Sequence, residues 1–321
     1  MPDLSWRSPA AVLFALGAAA LVVMATFMTI DAGGHWGFVL PLRSAKLAGM
    51  VIVASAIAVA TVLFQTITAN RILTPSIMGF DALYVLIQTC LVFGMGAAGT
   101  SALDPRLVFV GQVVLMILLS NILFRWLSSG ATRSLHLMIL VGVICGAFFR
   151  SLSTFLQRMI APSDFVVLQD RLFASFNTAH HELLLVSAIA ILAMGAGISR
   201  LLSRLDVLAL GREAAIGLGL NHRQTVTFIL MAVSVLVSVS TALVGPVTFL
   251  GLLVASLAYR LMPSYKHVHI LPAAILVAII SIVGGQIVLE RLFGFETALS
   301  IVIEFLGGLI FIILLLRGVS R

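Results

Sequence analysis

The chain has 321 residues, of which 61% are hydrophobic and 10% charged, against about 25% charged in an ordinary soluble domain. Mean hydropathy is +1.19. So few polar groups cannot cover a folded body with water-compatible surface, which excludes a soluble enzyme or binding module and makes lipid the solvent. The formal charge of +7 is not a nucleic-acid signal, because no basic stripe interleaves with aromatics and the positives fall between apolar stretches.

Charge-free stretches mark the spans, since a membrane-crossing helix needs about 20 apolar residues. The first, Ser8–Ile30, is longer than the roughly 7–15 residues of a signal-peptide core and ends in no clear cleavage site, so it is read as span one. Leu47–Asn70, Ala82–Leu103, Leu107–Phe124 and Ser134–Phe149 follow as spans two to five, and Leu183–Ser199 as span six. Cys90 and Cys145 lie inside spans and read as small apolar residues, with no disulfide framework. Gln224–Tyr259 is too long for one span. Leu243–Val247 (LVGPV) divides it into spans seven and eight, because proline removes a helical donor and glycine loosens the backbone. His267–Leu289 is span nine, and Thr297–Leu316, interrupted only by Glu304, is span ten. The expected fold is an all-α integral membrane protein of about ten transmembrane helices, a single transmembrane domain over 1–321.

Two junctions share a pattern. Leu73–Phe80 (LTPSIMGF) after span two and Val244–Leu252 (VGPVTFLGL) after span seven each place proline, a short apolar turn and glycine behind a long span. Those spans run in opposite directions, and interrupted segments at matching positions of two halves point to an inverted repeat. With an even number of spans both termini share a side. Placing the N- and C-termini in the cytoplasm puts twelve of the nineteen basic residues inside, as the positive-inside rule favours.

Span five runs on into Cys145–Met159 (CGAFFRSLSTFLQRM), in which Arg150, Thr154 and Arg158 recur every fourth residue on one helical face, with Gln157 beside them. Snorkelling to headgroups would account for these arginines. The alternative is a face lining an outward-facing cavity, where Arg150 needs anionic company from a cargo or from Glu304. Glu304 reads as the carboxylate well inside a span, with Asp81 and Glu290 at span ends. An ionisable group at such depth marks a functional site, a structural partner for an arginine, or a proton relay. The relay keeps a proton-coupled secondary transporter of a small anionic solute as an alternative.

Between spans six and seven lies the largest cytoplasmic loop, about 200–223, within Ser199–Gln224 (SRLLSRLDVLALGREAAIGLGLNHRQ). Asp206 can cap a short helix through its side chain, Val207–Leu210 continues it, and Gly211 stops it. A second short helix follows with Glu213 near its positive end. Two short helices joined by glycine form a compact knuckle with a small apolar face of Leu208, Leu210, Ala214, Ala215, Ile216 and Gly217. Such a face implies a covering partner, the alternative being a helix lying on lipid headgroups.

No metal site or catalytic constellation is read. His180–Glu182 (HHE) and His267–His269 (HVH) offer too few ligands. The phosphate-cradling Gly-x-x-x-x-Gly-Lys-Ser/Thr is absent and no Gly-Lys pair occurs in the sequence, so any ATP chemistry needs a second polypeptide.

The knuckle, Leu208–Leu220 (LALGREAAIGLGL), resembles the ATPase-docking loop of the iron-chelate and cobalamin permeases of ABC importers, the FecCD/BtuC-like family. Pro41–Gly49 (PLRSAKLAG) resembles that family's basic entry to span two, and Ala242–Leu261 (ALVGPVTFLGLLVASLAYRL) its Gly-Pro-x-x-Phe-x-Gly-Leu break. Glu290–Arg317 resembles its last loop and tenth span. Ala255–Ser256 stands where the family usually has Pro-His. Ala69–Tyr84 (ANRILTPSIMGFDALY) resembles a branch associated with ferric catecholate siderophores.

The resemblance implies a multi-pass permease subunit of the bacterial inner membrane and not an enzyme. It would move an iron–siderophore complex, a ferric catecholate, from periplasm to cytoplasm. It implies no cofactor in this chain, with ATP–Mg on a separate ABC ATPase subunit. The other implied partners are a periplasmic or surface-tethered siderophore-binding protein, a second permease copy as homodimer or paralogous heterodimer, and membrane lipid, with no nucleic acid. Leu208, Gly211, Arg212, Glu213, Ala214, Ala215, Gly217 and Gly219 become the ATPase-coupling residues. Arg43, Lys46 and Arg291 become docking positions for the binding protein. Arg150, Thr154, Gln157, Arg158 and Glu304 become the translocation pathway.

Overall fold

The structure, a computed structural model, describes residues 8–30, 36–128, 135–176, 181–292, 299–301, 303–305, 307–309 and 312. Arg7, Arg133, His180, Arg317, Arg321 and much of the last loop lie outside the described residues. In chain order the helices are α1 (Pro9–Thr29), α2 (Trp36–Thr68), α3 (Phe80–Ala102), α4 (Pro105–Ser128), α5 (Leu135–Gln157) and α6 (Pro162–Leu172). There follow α7 (His181–Ser199), α8 (Leu202–Leu208), α9 (Arg212–Gly217), α10 (His222–Val244), α11 (Leu250–Leu261) and α12 (His267–Leu292). Among the described residues no strand occurs. Eight helices are long and apolar enough to cross a membrane. Two shorter apolar helices accompany them, α11 and one within Leu299–Leu309.

The packing is inverted relative to a soluble protein. Phe14 is 81% exposed and Leu192 is 72% exposed, as suits side chains that face lipid tails. The interior combines large apolar side chains with small ones that let helices approach closely. Ala54 and Ala58 form one i, i+4 pair on α2 and Ala56 and Ala60 another, all fully buried. The two pairs lie roughly 200° apart around the helix. With no hydrophobic drive between helices in lipid, close contact through small side chains is what holds them together. α2 accordingly packs against α10, α12, α11 and α7.

Two helices end at irregular segments that pass directly into the next helix. α2 closes with Asn70 N donating to Gln65 O at 3.3 Å and Ala69 in the left-handed region at φ 48°, a Schellman-type end. The chain then passes through a 3₁₀ turn, Pro75–Met78, and Gly79 at φ 94° before α3 begins. A Cβ on Gly79 would lie 2.9 Å from Gly146 Cα of α5, so glycine is needed there for both conformation and space. α10 stops at Gly245, φ 95°. Its end is not left bare, because Ser175 N donates to Val244 O at 2.8 Å. α11, with 12 residues, is about 18 Å long, little more than half of a hydrocarbon core of about 30 Å. α11 alone is therefore too short to cross the membrane.

The largest departures from the sequence reading are α6, an 11-residue helix not marked by any charge-free stretch, and the start of α2. That helix begins well before Leu47 and carries Arg43 and Lys46 on its first turns.

α11 meets α2 at Gly251, where a Cβ would run into Thr61 Oγ1 and lie 3.3 Å from Thr61 Cβ. Gly251→Ala is expected to lower the thermal stability of the detergent-solubilised protein by the equivalent of about 1–3 kcal/mol, the range for overpacking. Thr61→Ala in the same chain should recover most of that loss. Melting curves of the single and double variants check this, and an unchanged melt for Gly251→Ala would refute the contact.

Candidate functional site

α2 sets the scale of the molecule. Arg43 near its start and Thr66 near its end are about 35 Å apart at 1.5 Å per residue, so they lie at opposite membrane faces. A polar cluster occupies each face and a third lies between them.

At the Thr66 face stands the knuckle, made of α8 and α9 joined through Gly211 at φ 97° and closed by Gly219 at φ 82°. Leu205, Leu208 and Ala215 are buried and hold the two short helices together and against the membrane body. Leu210, Ile216 and Leu218 are exposed, at 64%, 52% and 65%, together with Arg212, Glu213, Ala214, Gly217 and Gly219, Gly211 being half-buried. The apolar face thus differs from the one expected. Leu208 and Ala215 point inward, because so small a two-helix unit must spend them on its own core, and Leu218 takes their place outside.

Asp206 is also corrected. It lies within α8, whose N-cap is Leu201 with no side-chain bond. Asp206 Oδ1 instead accepts from the backbone N of His267 at 2.8 Å and faces its Nδ1 at 2.7 Å. It caps α12 from a different helix and sets negative charge at that helix's positive end. His269 turns elsewhere, with Nδ1 2.9 Å from Ser264 Oγ, so the two imidazoles do not converge.

At the opposite face Arg43, Lys46 and Arg291 gather around the end of α1. Arg43 Nη1 donates to the carbonyls of Phe27 (3.1 Å), Met28 (3.2 Å) and Ile30 (2.7 Å). These are the unpaired carbonyls that every helix C-terminus leaves. Lys46 pairs with Glu290, which Gln286 Nε2 also holds at 2.8 Å. Both cations lie about 6 Å from the Phe27 ring centroid, within cation–π range. Arg291 is exposed and donates to Ile30 O at 3.2 Å. Arg43 and Lys46, read from the sequence as docking positions, therefore bind α1, α2 and α12 to one another.

Between the faces, the two helix breaks meet. A cavity of about 20 Å³ there is lined by Thr61, Thr74, Ser76, Asp81, Thr241 and Thr248, among others, room for roughly one water. The hydroxyls of Ser76 and Thr248 stand beside the Asp81 carboxyl, and Glu304 and Arg150 lie within electrostatic reach of it. Asp81 Oδ2 is nevertheless buried with no hydrogen-bond partner among the described residues. Glu304 shares Thr248. Asp81, placed by the sequence at a span end, is thus the carboxylate of the break. Arg150 acts on it, and no Arg150–Glu304 ion pair occurs among the described residues.

Along α5, Arg150, Thr154 and Arg158 are exposed, as one face requires. Thr154 Oγ1 donates to Arg150 O at 2.9 Å. Gln157 departs from this face, its Nε2 donating to Thr89 Oγ1 of α3 at 3.2 Å. Asp81, Ser76 and Thr248 were missed by sequence reasoning. The available signal was an acidic residue directly behind a Pro-x-x-x-Gly break.

The model of the FecCD transport family matches residues 8–317. The chain belongs to the FecCD transport family. It is 45% identical to the petrobactin import system permease protein YclO of Bacillus subtilis (strain 168), across 93% of this chain and 94% of that one. It is 38% identical to the petrobactin import system permease protein FatC of Bacillus anthracis, across 86% and 78%. Its fold matches that of a solved metal-chelate type ABC transporter in an inward-facing conformation, with a TM-score of 0.85 at 21% identity over 97% of this chain and 100% of that one. As a member of this permease family the chain is a multi-pass membrane transport subunit whose ATPase is a separate subunit. The family also brings a substrate-binding protein and a second permease chain, and it leaves the proton-coupled alternative without support.

Arg43→Ala should free three carbonyls at the end of α1 and lower thermal stability by about 1.5–3 kcal/mol, the worth of charged hydrogen bonds. Arg291→Ala, at an exposed site, should stay within about 1 kcal/mol of the parent. Melting in matched detergent distinguishes them, and equal losses would refute the capping role of Arg43.

Proposed function

We propose that this permease carries a ferric siderophore of the catecholate class across the bacterial inner membrane, with the knuckle face in the cytoplasm. The observation that carries the reading is the near full-length 45% identity to a permease named for petrobactin import. A more distant relative, 26% identical over 93% of the chain, is named for ferric enterobactin transport.

ATP and Mg²⁺ reside on the partner ATPase, which engages the exposed knuckle face of Leu210, Ala214, Ile216, Gly217 and Leu218, flanked by Arg212 and Glu213. Gly217 has open space around it, so Gly217→Trp alters the docking face without touching the knuckle's core. It should leave the permease folded while co-purification of the ATPase and ATP-driven uptake fall together. Ala215→Trp should instead unfold the knuckle, since Ala215 is fully buried. Normal uptake by Gly217→Trp would overturn docking at this face.

At the outer face the binding protein docks on a surface whose exposed cation is Arg291, with Arg43 and Lys46 as its half-buried base. Within the membrane, Arg150 and Arg158 supply positive charge along the exposed face of α5. A ferric tris-catecholate carries a negative charge that cannot enter hydrocarbon uncompensated. Asp81 moderates Arg150, so an anion is admitted and not trapped. Arg150→Ala should reduce radio-iron uptake from an anionic ferric catecholate by about an order of magnitude more than from a neutral ferric hydroxamate, as expected for losing a charged contact of about 1.5–3 kcal/mol. Arg150→Lys should rescue only partly, because ammonium lacks the planar fork. Equal loss for both cargoes would refute a charge-selective role.

A further inference from the structure

His267 is 2% exposed and sits where three elements meet. Its Nδ1 is 2.7 Å from Asp206 Oδ1 on α8, and the same oxygen accepts its backbone N–H at 2.8 Å. Its Nε2 is 2.8 Å from Thr66 Oγ1 on α2. Tyr259 of α11 has its hydroxyl beside Thr66, and the Arg71 guanidinium lies over the Tyr259 ring, 4.7 Å from its centroid. One imidazole therefore joins the knuckle, the first residue of α12 and the end of α2, with α11 attached through Thr66.

A buried imidazole needs a partner at each nitrogen, and here the partners come from different helices. α8 has only seven residues, too few to be stable alone. Asp206 is its polar tie to the membrane body. On α2, Thr66 lies five residues, about 7.5 Å, beyond Thr61. Thr61 lines the cavity between the two breaks and touches Gly251 of α11. A shift of α8 must either break the two Asp206–His267 hydrogen bonds or carry α12 and, through the Nε2–Thr66 contact, α2 and α11 with it. The last two of these helices flank the breaks.

The geometry points to Asp206, His267 and Thr66 as a coupling latch, a set of positioning residues through which movement of the ATPase-docked knuckle reaches the helix breaks. The inference rests on the importer reading above.

The test uses the full complex, permease with ATPase and binding protein, in proteoliposomes, and reads cargo imported per ATP hydrolysed. His267→Ala should assemble and keep basal hydrolysis within about twofold, while import per ATP falls at least about fivefold, the lower end of an allosteric coupling. His267→Asn keeps a donor toward Asp206 only, and His267→Gln keeps one toward Thr66 only, so neither should restore the ratio. Asp206→Ala and Thr66→Val alter residues joined through the ring. If one latch contains both, the double variant should be no worse than the poorer single one, whereas independent effects would add. A lower melting temperature or yield with an unchanged import-to-ATP ratio would reduce His267 to a structural residue and overturn the latch. If the wild-type complex itself showed no ATP-driven import, the importer reading would fail and the latch with it. A wild-type complex that couples normally beside a His267→Ala complex with the same ratio would remove the latch alone.

Discussion

A helix that ends in hydrocarbon leaves carbonyls and amides with no water to receive them, at several kcal/mol for each unpaired group. The two breaks of this permease exist because protein covers them. The backbone at Ser175 reaches across to the end of α10. Gly79 lies against the bare backbone of Gly146, which closes the first break against α5. Both glycines at the breaks, Gly79 and Gly245, have positive φ, and a side chain at Gly79 would push α5 away. Irregular backbone at this depth is tolerated where it is buried in protein or lines a polar cavity. Here both conditions hold, and the Asp81 cluster occupies the junction. The site gathers at the breaks, where Ser76, Asp81 and Thr248 from the interrupted segments face Thr61 and Thr241 of the long helices.

The spans were legible because lipid imposes a simple rule on them. An apolar run without charge has to be near the length of the bilayer, and every long helix of the structure overlaps one of the runs read from the sequence. The breaks were legible for an equally local reason, since proline and glycine close together behind a long span do not continue a helix. What the sequence does not display is the partner of a charge. Arg43 and Lys46 look like surface cations until α1 ends beside one and Glu290 approaches the other. Asp206 looks like a cap for its own helix, and in the fold it caps a helix that starts 61 residues later. Asp81 looks terminal because it ends a charge-free run, yet the chain before it is a turn buried in the bundle. α6 escaped notice because its mixture of Asp164, Arg171 and apolar residues has neither the length nor the purity of a span.

These corrections share a cause. In a protein with so few charges, each one inside or near the membrane must find company, and that company comes from elements far apart in sequence. The charges therefore serve first as struts between helices, and only those with exposure left over can meet a partner molecule. This separates Arg291 and Arg150, which remain exposed, from Arg43 and Lys46, which are half-buried. It also separates Leu210 and Leu218 on the knuckle from Leu208 and Ala215 beneath it.

All three polar clusters are strung along α2. Arg43 and Lys46 stand at one end, Thr61 at the level of the breaks, and Thr66 at the knuckle. A helix that connects these sites can transmit a displacement only if it moves as a rod, and the alanine pairs of α2 serve that end. Their small side chains let α2 pack closely on several sides at once, which suppresses bending. Close packing also makes the contacts two-valued, since a close-packed core shifts by repacking and does not deform smoothly. A pull of a few tenths of an ångström at Thr66 could not fade out along such a helix. It would either be resisted entirely or be passed on to Thr61 and Gly251, where the two broken segments meet.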